Sequence, residues 1–408
     1  MKLMKGLNVL KKLLVLCSLF VISNVLQADE LGNILSKNKE LLFDYDFKSN
    51  DLESDMLSKS WINPVTLRYK KNYSTQFTDR TMKTGNYSVS IDQPIFKSGG
   101  IYYAIKYSQA LHDANEADLI LQKRKMIGDA VSILFSLKKN KLEQQKMRYL
   151  IKNDKIDIRQ KRDSYNAGLL DSSFLDQAIL KKSQDEARLL EYELNLLELK
   201  QRFSLLSDKK PNALRLPVLK MMSKKNYKEQ NLELKKDILR AEQSSHNADV
   251  TTAKYLPTVS LQGQYLDGDL NPIFANPMLK EKYYNYGFSI SMPIDVNSLT
   301  DIEASKVKKL RAATQVLDRK EQVGQEYKWI NNSLSILDKK IILAQKDEKV
   351  YKNLFRLTKN LAEAGEKTSL DADIMQNSLK IRKLDQKIYK IDKQVQLLKL
   401  YIRVENVL

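Results

Sequence analysis

Residues 369–402 read SLDADIMQNSLKIRKLDQKIYKIDKQVQLLKLYI, and their apolar spacing indicates a long, packed helix. After a first step of seven residues, its apolar positions recur at alternating intervals of three and four: Ile374, Ile381, Leu384, Ile388, Ile391, Val395, Leu398 and Ile402. Heptad spacing of this kind places side chains along one side of an α-helix, where they pack against another helix. No proline follows Pro293, so the strongest helix breaker is absent from the rest of the chain.

A second apolar seam precedes the first one. It comprises Val316, Val323, Tyr327, Ile330, Leu334, Leu337, Ile341 and Ala344, and it shifts by one residue into Val350, Leu354, Leu357 and Leu361. Gly365 lies between the two seams, and glycine commonly ends a helix in the left-handed conformation. Thr368 or Ser369 can cap the helix that follows. The C-terminal block is therefore predicted to be two long helices folded back on each other at Gly365.

The N-terminus has the pattern of a secretory signal peptide. Basic residues precede an apolar run from Leu13 to Ile22, and Gln27-Ala28 comes just before Asp29. The apolar run is shorter than the roughly 20 residues that a membrane-spanning helix needs. The only cysteine, Cys17, lies inside this segment, so no disulfide is expected after cleavage. Later apolar runs are all interrupted by charged residues, so no transmembrane helix is expected there either.

The rest of the chain is an internal duplication. Corresponding landmarks lie 193 to 199 residues apart: Pro64 and Pro257, Pro94 and Pro293, Gly128 and Gly324, and Gly168 and Gly365. A period of this length indicates two copies of half a domain rather than a solenoid. We therefore divide the chain into a signal peptide (1–28), a first repeat (29–210), a linker (211–226) and a second repeat (227–408). The linker is expected to be irregular or loosely structured.

Both repeats predict the same order of elements: a helix, two short strands and a long helical block. Strands are predicted at residues 65–70, 87–92, 259–264 and 286–292, where apolar and polar residues alternate with the period of two that strands show. On the apolar face, we expect Val89, Ile91, Phe288 and Ile290 to contact lipid. On the polar face, we expect Ser88, Ser90, Ser289 and Ser291 to line a lumen.

Four strands with one apolar face cannot close a barrel, because about eight is the practical minimum. An open apolar edge in an exported protein would also promote aggregation. The sheet is therefore expected to be completed by further copies of the chain, as a β-barrel in an outer membrane. The helices carry too many charges for lipid, so they are expected in the aqueous space beside the membrane.

Taken together, these features resemble the TolC-like outer-membrane factors over residues 29–408. The resemblance lies in the signal peptide, the duplicated order of strands and long helices, the Gln93-Pro94-Ile95-Phe96 strand end and the Ala-Gly turns at Gly168 and Gly365. It implies a mainly α fold with a trimeric β-barrel continued by an α-helical barrel of coiled coils. It also implies an outer-membrane location, with the helical barrel in the periplasm.

The resemblance also implies a function and a site. The function is an exit duct that receives substrates from a periplasmic adaptor protein and an inner-membrane RND or ABC transporter. Gly168 and Gly365 match the turns at the periplasmic entrance, Asp371 an acidic position that narrows it, and Lys367 a basic position beside it. The first repeat departs from this pattern, because Phe174 stands six residues after Gly168, where the second repeat has Asp371.

Other classes of function are less compatible with the sequence. A duct for type I protein secretion is the closest alternative, and an exported structural coiled coil would leave the four strands unexplained. The formal charge of +19 suits nucleic acid, but export and the lack of a base-reading motif argue against that partner. His112 and His246 are far apart in the sequence, so no metal, cofactor or catalytic site is expected, and the chain is not predicted to be an enzyme.

Overall fold

A computed structural model describes residues 33–75, 81–269 and 280–404. The predicted signal peptide lies outside these residues. The first repeat contains α1 (Lys37–Ser58), β1 (Thr66–Ser74), β2 (Met82–Phe96), α2 (Gly100–Asn166) and α3 (Ser172–Ser204). After a 3₁₀ turn (Pro211–Ala213) and the short α4 (Lys224–Glu229), the second repeat contains α5 (Leu232–Ala253), β3 (Thr258–Gly268), β4 (Lys282–Ser291), α6 (Ser298–Glu363) and α7 (Ser369–Tyr401). The fold is mostly helical with one four-stranded antiparallel sheet, as predicted.

The strands extend further than the alternation in the sequence indicates. The β1–β2 pairing continues from Thr66–Ser90 to Ser74–Met82, through the polar residues Lys70, Lys71 and Asn72. Conversely, Val65 and Met292, which the alternation places in strands, lie just outside β1 and β4. The ladder of backbone hydrogen bonds sets the strand ends, and polar side chains do not interrupt it.

The chain forms two compact units. Of the described residues, one unit comprises 33–44, 120–232 and 321–404, and it contains α3, α4, α7 and most of α2 and α6. The predicted C-terminal seam lies in its core: Ile381, Leu384, Ile388 and Ile391 are all buried. Among the described residues, no helix combines the length and the apolar character that crossing a membrane requires.

The α6 seam differs from the prediction beyond Ala344. Val350, Leu354 and Leu357 are exposed, so the predicted shift by one residue is wrong. The heptad frame instead continues unchanged through Glu348, Tyr351, Phe355 and Thr358. Gln386 donates a hydrogen bond of 2.6 Å to the Glu348 carboxylate, and the Arg382 guanidinium lies 5.2 Å from the centre of the Tyr351 ring. Two of these four seam residues, Glu348 and Thr358, are polar, and an apolar pattern alone does not detect them.

The linker is irregular between its two short helical turns, but it is firmly attached to the helices of its unit. The Leu219 N–H donates to Gln394 Oε1 at 2.7 Å, and the Tyr401 hydroxyl donates to the Lys220 carbonyl at 2.8 Å. Tyr227 is completely buried, and its hydroxyl donates to Glu326 at 3.3 Å. Burial raises the pKa of Tyr227 to about 12, so the hydroxyl keeps its proton. The prediction of an irregular linker is therefore confirmed, but the segment is held by these hydrogen bonds and is not loosely structured.

The second unit comprises residues 45–119 and 233–320 and contains the whole sheet. Its helical segments are joined by polar contacts. Arg319 on α6 bonds both Glu233 and Asp237 on α5, at 3.3 and 2.8 Å. Ser108 on α2 donates to the Ser54 carbonyl of α1 at 2.8 Å.

Candidate functional site

The two glycine turns predicted as entrance residues have the same backbone structure. Gly168 and Gly365 have φ angles of +72° and +79°. In each turn the residue after glycine donates back across the helix end, from Leu169 to Ser164 and from Glu366 to Leu361, both at 2.9 Å. This is the Schellman arrangement, in which glycine takes the left-handed position. A side chain at either glycine would meet nothing within 4 Å, so the backbone conformation alone favours glycine.

Asp371 holds the first turn of α7 in a capping box. Its N–H donates to the Thr368 hydroxyl at 3.2 Å, and its carboxylate accepts from the Thr368 N–H at 3.2 Å. Gln160, on α2 of the first repeat, donates to the other carboxylate oxygen at 2.8 Å. The hydrogen bonds from Gln160 and Thr368 lower the pKa of Asp371, and the exposed Lys367 adds a smaller effect in the same direction. Asp371 thus connects the beginning of α7 to the end of α2.

The first turn is capped differently. Asp171 lies three residues after Gly168, as Thr368 does after Gly365, and its side chain accepts from the Ser173 N–H at 2.8 Å. Phe174 occupies the third position of α3, where α7 has Asp371, and it is half exposed. The structure therefore aligns Phe174 with Asp371, and it gives a capping box to the second turn only.

The four strands place the predicted sheet residues on two distinct faces. Val89 is opposite Tyr265, Phe288 is opposite Leu261, and residues directly opposite in antiparallel strands share a face. Followed across the sheet, the registers place Val89, Ile91, Phe288 and Ile290 on one face and Ser88, Ser90, Ser289 and Ser291 on the other. On the first face, Phe288 is 72% exposed and Ile290 67% exposed.

The sheet has the order β1-β2-β3-β4, so the second strand of the first repeat pairs with the first strand of the second repeat. Within the described part of the chain, β1 and β4 each have a neighbouring strand on one side only. Their outer edges therefore present backbone donors and acceptors that another strand could pair with.

The sequence did not predict the charged residues inside the helical hairpins. Asp154 and Asp185 are buried, and Lys181 pairs with both. Burial raises the pKa of Asp154, although the Lys181 ammonium acts in the opposite direction. Asp385, also buried, pairs with Lys146 at 2.8 Å. These acids occupy helix faces next to the apolar seams, where the sequence pattern gives no sign of their partners.

No protein-family model and no curated protein sequence matches the chain. Several solved structures do match it. The outer-membrane protein VceC from Vibrio cholerae has a TM-score of 0.70 at 14% identity, over 90% of this chain and 93% of its own. The CmeC outer-membrane channel of Campylobacter jejuni gives 0.73 at 15%, over 94% and 85%. The MtrE outer-membrane channel of Neisseria gonorrhoeae gives 0.65 at 12%, over 92% and 88%.

These comparisons establish the class of fold. The chain has the fold of bacterial outer-membrane channels, over nearly its whole length. This fold is the TolC-like one that the sequence resemblance implied. Of the proteins that share it, CmeC and MtrE are outer-membrane channels.

Proposed function

We propose that the chain is the outer-membrane exit duct of a tripartite efflux system. Three copies form a passive channel that takes substrates from a periplasmic adaptor protein and an inner-membrane RND or ABC transporter. Their strands form an outer-membrane barrel of about twelve strands, and their helices continue it as a barrel in the periplasm. The fold shared with VceC, CmeC and MtrE supports this proposal.

The single observation that carries the proposal is the incomplete sheet. It has four strands, two edges open to further pairing and an apolar face that the described residues leave exposed. A barrel needs about eight strands, so other copies must supply the rest. In the proposed barrel, Val89, Ile91, Phe288 and Ile290 face lipid. The four serines on the opposite face then line the water-filled lumen.

The helices of the other unit also present uncovered apolar surface. On α6, five large side chains follow one another at intervals of seven, and each is more than half exposed: Trp329, Ile336, Leu343, Val350 and Leu357. On α3, Leu190, Leu194 and Leu197 form a shorter exposed line at intervals of four and three. Heptad lines of this kind pack against other helices. In the proposed trimer these exposed lines pack against helices of neighbouring copies, which are already needed to complete the sheet.

The glycine turns form the periplasmic entrance in this proposal. Three copies of the Gly168 and Gly365 turns meet around the axis, and three Asp371 carboxylates form a ring there. Such a ring attracts cations, and each carboxylate disfavours the ionisation of the others. Lys367, four residues earlier, offsets part of that repulsion and stabilises the closed state.

The proposal is tested on the purified mature chain. We expect a trimer in detergent and discrete conductance steps in planar bilayers, and heat denaturation should abolish both. Sedimentation or mass photometry measures the number of copies, and single-channel recording measures the pore. A stable monomer without channel activity would refute the proposal.

A further inference from the structure

A histidine and two acids lie together on one side of α2. His112, Asp113 and Glu116 each offer one ligand atom, and these atoms lie within 4.8 Å of one another. His112 and Glu116 are four residues apart and so lie on the same face of the helix, with Asp113 beside them. His112 Nδ1 is 3.1 Å from an Asp113 carboxylate oxygen.

The other ring nitrogen of His112 is held by a second helix. Its Nε2 lies 2.9 Å from Asp51 Oδ1, which belongs to α1. Asn50, also on α1, donates to the His112 carbonyl at 3.0 Å. The Asp51 carboxylate fixes the ring orientation and accepts the Nε2 proton, while a metal ion at Nδ1 takes the place of the proton that faces Asp113. Metal-binding histidines commonly have such a carboxylate on their other nitrogen.

We propose that His112, Asp113 and Glu116 bind a divalent transition-metal ion of the Zn²⁺ class, and that Asp51 is a positioning residue for His112. An imidazole nitrogen with two carboxylates suits Zn²⁺, whereas Mg²⁺ and Ca²⁺ prefer oxygen ligands alone. The two carboxylates balance the charge of the ion.

The geometry requires only small adjustments. In a tetrahedral Zn²⁺ site with ligand atoms about 2.0–2.2 Å from the ion, the ligand atoms lie about 3.3–3.6 Å apart, so side-chain movements of about 1–1.5 Å bring the three atoms into range. The His112 side chain is a quarter exposed and that of Asp113 nearly half exposed, so the ion can enter. With three ligands from the protein, water completes the coordination. The affinity should therefore be below that of a structural site with four protein ligands.

The proposal does not depend on the channel function, because none of its residues belongs to the sheet faces or to the proposed entrance. The competing explanation is that the cluster only joins α1 to α2 by hydrogen bonds. The two explanations differ in whether a metal ion binds, and the chain offers a matched control. His246, the only other histidine, lies on α5 beside a single acid, Glu242, at 3.8 Å.

The experiment is Zn²⁺ titration of the full mature chain, purified without a polyhistidine tag and followed by calorimetry. We expect one Zn²⁺ per chain, binding at least tenfold weaker in His112→Gln and Glu116→Gln, and unchanged binding in His246→Gln. Asp51→Asn should weaken binding less than His112→Gln does. Co²⁺ offers a second readout, because its visible spectrum should report nitrogen and oxygen ligands in the wild type and change in His112→Gln.

Two results would overturn the proposal. One is the absence of saturable Zn²⁺ binding by the wild type, which would leave only the hydrogen-bonded connection between α1 and α2. The other is equal binding by Glu116→Gln and the wild type. Glu116 is exposed, so its substitution should leave the fold intact and keep the test decisive even if His112→Gln is unstable.

Discussion

At the scale of the residue, Asp371 combines a structural role with a proposed functional one. Its hydrogen bonds to Gln160 and Thr368 stabilise the carboxylate, so its pKa in the folded chain is below the usual value. A group whose pKa falls on folding contributes stability above its unfolded pKa and loses that contribution as the pH falls through the folded pKa. The turn should therefore keep this contribution throughout the neutral range and lose it only in acid.

The change Asp371→Asn separates these two roles when it is compared with Thr368→Ala. We expect Asp371→Asn to weaken cation selectivity and block by multivalent cations, because it removes the proposed ring of charge. Thr368→Ala should cost about 1 kcal/mol in capping but leave the carboxylate and the selectivity in place. Reversal potentials in a salt gradient measure selectivity for both variants. Equal selectivity in Asp371→Asn and the wild type would remove Asp371 from the entrance.

Lys367 gives a separate test of the closed state. In the proposed entrance its ammonium offsets the repulsion between neighbouring carboxylates, so Lys367→Ala should loosen the turns and raise the single-channel conductance. Lys359, an exposed lysine two turns earlier on α6, provides the control, and Lys359→Ala should leave conductance unchanged. If both variants conduct like the wild type, Lys367 does not stabilise the closed state.

At the scale of the element, the two faces of the sheet should respond differently to charge. Phe288 and Ser289 are adjacent on β4 and lie on opposite faces. We expect Phe288→Arg to cost roughly 2–4 kcal/mol near the bilayer midplane, and Ser289→Arg, facing the lumen, to cost much less. Urea unfolding of the protein in lipid vesicles measures the difference. Equal costs on the two faces would contradict the lipid and lumen assignments.

The elements also show how far the sequence specifies this fold. The glycine turns and the apolar heptads could be predicted from the sequence, because Gly365 needs a left-handed backbone and the apolar residues from Ile381 to Ile391 need burial. The frame of α6 beyond Ala344 could not be predicted, because the polar residues Glu348 and Thr358 occupy seam positions and the sequence does not show the hydrogen bond from Gln386 to Glu348. The cluster of His112, Asp113 and Glu116 was not singled out from the sequence, because the two histidines were compared only with each other, and the partner Asp51 is 61 residues away.

At the scale of the whole molecule, the duplication predicts how strands of neighbouring copies pair. We call the pairing of β2 with β3 within one chain, and the corresponding pairing of β4 with β1 of the next copy, a joint. The register of the second joint can be inferred from that of the first. Ile91 on β2 is opposite Gly263 on β3. With Pro94 and Pro293 as corresponding residues of the duplication, Ile91 on β2 corresponds to Ile290 on β4. The two hairpin registers then make Gly263 on β3 correspond to Tyr69 on β1. In the proposed trimer, Ile290 of one copy should therefore lie opposite Tyr69 of the next.

Disulfide cross-linking tests this register. The double variant Ile290→Cys, Tyr69→Cys should give covalent dimers and trimers on non-reducing gels, because opposite residues in adjacent strands lie within disulfide range. The only native cysteine lies in the predicted signal peptide, so the background should be low. Ile290→Cys with Arg68→Cys is the control, since Arg68 is on the other face. Better cross-linking in the control would show that the register is shifted.

The β2–β3 joint has one more consequence, which concerns the order of assembly. Of six equivalent joints in the ring, three connect strands of one chain and three connect strands of different chains. The first kind is an intramolecular pairing and does not depend on the concentration of chains, whereas the second kind depends on the concentration of chains in the membrane. Dilution should therefore act on the β4–β1 joints alone. Each chain would arrive with its own sheet already formed, and only the last three joints would depend on how many chains the cell makes.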